Sequence, residues 1–117
     1  MTYESFRQEF NEFRTRIEQE ALREKQANLV WINLAKLWSR FDADERSMAV
    51  RVLGEWLQSE DSGARSDAEF LIREFNLVGW QDDLRQLAAR LAPEVALSAP
   101  IGWELKKIEG ILAKLMA

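Results

Sequence analysis

At 117 residues, 47% hydrophobic and 31% charged, the chain has the composition of a folded domain and the length to bury a core. It contains neither cysteine nor histidine. That excludes disulfide frameworks, thiolate metal centres and imidazole acid–base chemistry. A net charge of -4 with no basic run argues against nucleic acid as a partner, because such binding rests on neutralising phosphates.

The opening Met1-Thr2-Tyr3-Glu4-Ser5-Phe6 is polar and acidic where a secretory leader would be basic and then apolar. The most apolar stretch, Leu29 to Trp38, is interrupted by Asn33 and Lys36 and is too short to cross a bilayer. A cytoplasmic protein with no membrane partner is expected, folded as a single helical domain over 1–117. Arg outnumbers Lys, which fits a GC-rich bacterial genome.

Taken in chain order, apolar spacing is helical nearly throughout. Tyr3, Phe6, Phe10, Phe13 and Ile17 recur at steps of three and four behind Thr2, a suitable N-cap. Residues 18–26 are highly charged and read either as solvated helix or as a connection, so 2–40 form one helix or two. From Leu29 to Phe41 apolar residues cover more than one face. This predicts a central helix with Trp31 and Trp38 in the core.

Asp42 and Glu45 have capping-box spacing and open a helix from about Asp44 to Gln58, burying Ala49, Val52, Leu53 and Trp56. Ser59 to Gly63 is a turn. The helix beyond it, to about Asn76, buries Ala68, Leu71, Ile72 and Phe75. A tight link at Leu77-Val78-Gly79 leads to a helix through Leu91, with Leu84, Leu87, Ala88 and Leu91 inward. Pro93 stops it. Ala92 to Ala99 reads as a loop before a last helix opened by Ser98 and Pro100, with Ile101, Leu105, Ile108, Leu112 and Leu115 as its seam. The expected fold is all-α, about six helices without strands.

Two of these helices share a pattern at an offset of 19 residues. Arg46-Ser47-Met48-Ala49 leading to Val52-Leu53 and Glu55-Trp56 matches Arg65-Ser66-Asp67-Ala68 leading to Leu71-Ile72 and Glu74-Phe75. Val78-Gly79-Trp80 is echoed in Ile101-Gly102-Trp103. Together with Val50-Arg51 and Leu53-Gly54, this pattern over roughly 44–91 resembles the HEAT and armadillo class of helical repeats, which implies a compact helical stack. The same echoes also arise where helices of equal length bury similar residues in an irregular bundle.

Catalysis is not expected. Without His or Cys the options narrow to carboxylates, Lys, Tyr or Ser, or carboxylates holding a divalent metal. Glu9 and Glu12 have the Glu-x-x-Glu spacing of helical pyrophosphatases, but no Glu-x-x-Asp accompanies them. A carboxylate–metal hydrolase is therefore a remote alternative, and neither catalytic residue nor cofactor nor metal is assigned.

The acidic helix starts carry more information. Asp42, Asp44 and Glu45 open one helix and Asp82 and Asp83 another. In an up-and-down stack these links fall at the same end, with only Arg46 and Arg85 to match five carboxylates. Acids in first turns also suit the helix dipole alone. As a surface, they would attract a basic protein, with Trp80 as an apolar anchor, which makes an adaptor or an inhibitor of the immunity type the expected function. The alternative is a self-associating subunit, such as a homodimer through the seams of the first and last helices. Gly54 and Gly110, inside helices, suggest close helix approach.

Overall fold

The computed structural model describes residues 2–116, the last by its backbone alone. Six α-helices and two 3-10 segments, with no strand, make up the described residues: the all-α fold expected. The helices are α1 (Tyr3–Glu24), α2 (Leu29–Arg40), α3 (Ala43–Leu57), α4 (Ser62–Glu74), α5 (Gln81–Leu91) and α6 (Ala99–Met116). The chain divides into two compact units, Met1–Glu55 and Trp56–Ala117.

In the first unit, α1 begins at Thr2, whose side chain accepts from the Ser5 amide, and it packs against α2. It runs straight through the charged segment and ends at Lys25. That residue is left-handed at φ 56°, with Lys25 N–H donating to Leu22 and Gln26 N–H to Ala21. This Schellman ending satisfies the last carbonyls and separates α1 from α2, so the first forty residues form two helices. Phe6, Phe10 and Ile17 are buried, and Tyr3 and Phe13 half-buried.

The expectation of a central α2 is corrected. Only Val30, Leu34 and Trp38 are buried, whereas Trp31 is 39% and Ile32 42% exposed. A stripe at steps of four is all that α1 needs to cover, so α2 is amphipathic and its other apolar residues stay at the surface. Its C-terminal Phe41 meets Phe6 and Phe10 edge-on, with ring centroids 5.2 and 5.5 Å away.

In the second unit, Trp56 and Leu57 at the end of α3 are buried, as are Ala68, Leu71 and Ile72 of α4 and Leu84, Leu87 and Leu91 of α5. Phe75 and Ala88, expected inside, are half-buried. The expected link before α5 is a 3-10 turn, Val78–Trp80. The loop expected after Leu91 is instead the 3-10 segment Ala92–Leu97, with Pro93 at its start, where a missing N–H costs nothing. α6 packs on α4 and α5 and buries Glu104, Ile108, Ile111 and Leu115. Its seam is therefore turned from the one expected: Ile101, Leu105 and Leu112 are half-buried, and a carboxylate takes a core position.

Helix ends in this unit are finished by basic side chains from elsewhere. Arg90 donates to the Gln58 and Leu57 carbonyls at 3.3 and 3.5 Å, and Lys114 to that of Arg73 at 3.3 Å. The Leu57 and Gln58 carbonyls lie at the end of α3, where intrahelical donors run out, and the Arg73 carbonyl also accepts from the Asn76 amide at 3.3 Å.

Gly110 does not mark a close approach, since it is exposed and a Cβ there would meet nothing within 4 Å. Gly110→Ala should therefore raise stability by about 1 kcal/mol, the helix-propensity difference alone. Urea unfolding would measure it, and a loss of stability would show that the added methyl is crowded.

Candidate functional site

The predicted surface residues fall in both units. In the first, Asp42, Asp44 and Glu45 stand together at the start of α3. The capping box forms in both directions: Glu45 N–H donates to Asp42 Oδ1 at 2.8 Å, and Asp42 N–H donates to Glu45 Oε1 at 3.0 Å. Each of these bonds uses one carboxylate oxygen and neutralises neither charge. Asp42 and Asp44 are exposed and Glu45 half-buried. Arg46, the cation expected to balance them, is directed instead at the end of α2, donating to the carbonyls of Trp38 and Phe41 at 3.4 and 3.5 Å. Among the described residues, none of the three acids is in an ion pair.

In the second unit, Asp82 is paired with Arg85 one turn on, at 2.9 Å, with its side chain 90% exposed. A pair this solvated contributes little. Asp83 and Trp80 are half-buried. The most exposed aromatic of this unit among the described residues is Trp103, at 70%, and Leu97 is 86% exposed. The echo between Gly79-Trp80 and Gly102-Trp103 contained the signal: Trp103 lies off the apolar seam of α6, whereas Trp80 precedes α5 in a 3-10 turn.

Glu45 also borders an open groove of about 330 Å3 in the first unit, whose walls come from α1, the end of α2 and the start of α3. Its base is aromatic, with Phe6, Phe10, Phe13 and Phe41 beside Leu37. Glu9 and Glu12, exposed on α1, line it together with Arg16. Glu12 accepts a hydrogen bond from Gln8 at 3.0 Å, and the Arg16 guanidinium lies 5.3 Å from the centre of the Phe13 ring.

A buried ionic cluster joins α4 to α6 in the second unit. Arg65 grips Glu104 with two parallel bonds of 2.9 Å and donates to the Ser59 and Glu60 carbonyls at 3.0 Å, tying the turn before α4 to α6. Burial works to raise the Glu104 carboxyl, but hydrogen bonds from Arg65 and Glu69 and the Arg65 charge outweigh it and hold the group below its ordinary range. Glu69 is fully buried. Lys107 Nζ stands 3.1 Å from its Oε1, yet neither Glu69 carboxylate oxygen has a hydrogen-bond partner. Burial first, then the hydrogen bond and charge of Glu104, push Glu69 up to about 8. That shift favours the protonated form, which can donate to Glu104. Arg65, Glu104 and Lys107 also line a groove of about 490 Å3, with Trp103 among its walls.

None of these buried groups was anticipated. Arg65, Asp67, Glu69 and Glu104 occupy core positions in helices whose apolar spacing looked sufficient without them. Among the described residues, no set of three or more acidic side chains is placed to hold a metal ion, and no helix is long and apolar enough to cross a membrane. Compared with family models, with curated proteins and with solved structures, the chain matches none of them.

Proposed function

We propose that the chain is a small protein-binding domain, an adaptor or an inhibitor of the immunity type, that engages a basic protein partner and does no catalysis of its own. The observation that carries this reading is the state of Asp42, Asp44 and Glu45: three neighbouring carboxylates, none ion-paired, with the adjacent Arg46 committed to the end of α2. A charge left unbalanced on one face speeds encounter with an oppositely charged surface and selects among partners. Helix-dipole stabilisation accounts for acids at a helix start, but it does not require the nearest cation to be directed elsewhere. Asp82 and Asp83 add negative charge at the start of α5, and half-buried Trp80 offers an apolar contact beside them.

Affinity capture from lysate of the source cells, with wild type and with a variant carrying Asp42→Asn, Asp44→Asn, Asp82→Asn and Asp83→Asn, tests the reading. A basic protein should be retained by wild type, released as salt rises, and lost by the variant. Equal retention by both would sink the acidic-surface reading. An empty lane for both would transfer the case to self-association, for which exposed Leu97 and Trp103 are the natural contacts.

A further inference from the structure

We infer that the aromatic groove of the first unit is a receptacle for a cationic side chain, an arginine or lysine of the basic partner. This rests on the protein-binding reading above and gives it a defined point of contact. The groove brings an aromatic base, Phe13 and Phe41 among its residues, together with Glu9, Glu12 and Glu45. Against those three carboxylates the lining supplies one cation, Arg16. No ion pair joins Arg16 to any of the acids among the described residues; its guanidinium lies by the Phe13 ring instead.

The same unit contains a filled example of this chemistry. Arg51 lies 3.7 Å from the centre of the Tyr3 ring, and the Tyr3 hydroxyl donates to Glu55 at 2.6 Å. Arg7 donates to both oxygens of that carboxylate, at 2.8 and 2.9 Å. One ring and one carboxylate there are matched by two guanidinium groups of the chain itself. The groove has more rings and more carboxylates but only Arg16 as a resident cation, which leaves its charge open to a cation from outside. An aliphatic stem ending in a positive charge fits both parts: the stem against the phenylalanines and the head among the glutamates.

Titration of the full-length, nitrogen-15-labelled chain with acetyl-Gly-Arg-Gly-amide tests the assignment, with the norleucine counterpart as the neutral control. The arginine peptide should shift the amides of Glu9, Glu12, Phe13 and Phe41 saturably, and the norleucine peptide should not. Glu9→Gln with Glu12→Gln changes only exposed groups. It should weaken the response about fivefold while leaving the remaining spectrum in place. Arg16→Gln, which removes the resident cation, should tighten it. The assignment is overturned by no saturable shift at the groove, by an equal response to norleucine, by full binding in the double variant, or by weakening on Arg16→Gln. A silent groove beside a partner captured through Asp42 and Asp44 would overturn the receptacle alone. Silence in both experiments would remove the binding reading with it.

Discussion

Replacing Glu69 with glutamine flattens the dependence of stability on pH between about 5 and 8 and makes the protein more stable than wild type at the upper end. The native state holds the Glu69 proton up to about pH 8, whereas the unfolded chain releases it near the ordinary value of 4.5. Across that window the folded form binds more protons, so wild-type stability falls as pH rises. The contribution is complete below the unfolded value and gone above the folded one. Each unit of displacement is worth about 1.4 kcal/mol, so the loss amounts to a few kcal/mol.

Glu104 runs the other way and in a different window. Its carboxyl is lowered, so its contribution is present above the ordinary value and disappears only as acid drives pH through the native one. The chain has no histidine, the residue whose ordinary titration would otherwise fall in the same window as that of Glu69. Glutamine keeps the shape and carries no titrating proton. Urea midpoints at pH 5, 6.5 and 8 read the difference, and parallel profiles for the two proteins would show that Glu69 does not carry the shift.

The second large effect concerns the Arg65–Glu104 pair. Glu104→Ala leaves a guanidinium that is only 5% exposed without its counter-charge, and should cost about 3–5 kcal/mol. For a chain of this size that lowers the melting temperature by about 10 °C or more. Adding Arg65→Met should recover much of the loss, because an apolar pair of similar volume avoids desolvating two charges. The recovery will be incomplete, since Arg65 also holds the Ser59 and Glu60 carbonyls. A double variant as unstable as the single one would mean that those carbonyl bonds, rather than the ion pair, dominate.

Which links of the fold were legible follows from how local their causes are. The Thr2 cap, the Asp42–Glu45 box, the stop after Leu91 and the inward faces of α3, α4 and α5 depend on neighbours within a turn or two, and sequence spacing reports such neighbours directly. Exposure of Trp31, half-burial of Trp80 and the turned seam of α6 depend on which helix lies opposite, and spacing carries no record of that. The acids of the candidate surface were found because helix starts are local features. The aromatic groove beside Glu45 was not, because Glu9, Phe13 and Phe41 meet only when α1 packs on α2.

By itself, then, the amino-acid sequence determined that the chain is helical, where most helices start, which side α3, α4 and α5 turn inward, and that imidazole and thiol chemistry are absent. Tertiary structure alone decided which charges are left facing solvent and which are taken inside. Arg46 could have balanced Asp42 and Asp44 from its place in the sequence, and it is the nearby end of α2 that draws it away. Glu69 and Glu104 read as ordinary surface acids until α6 lies against α4. A charge is cheap in water and costly in a core, so its role is set by what packs over it rather than by its neighbours along the chain.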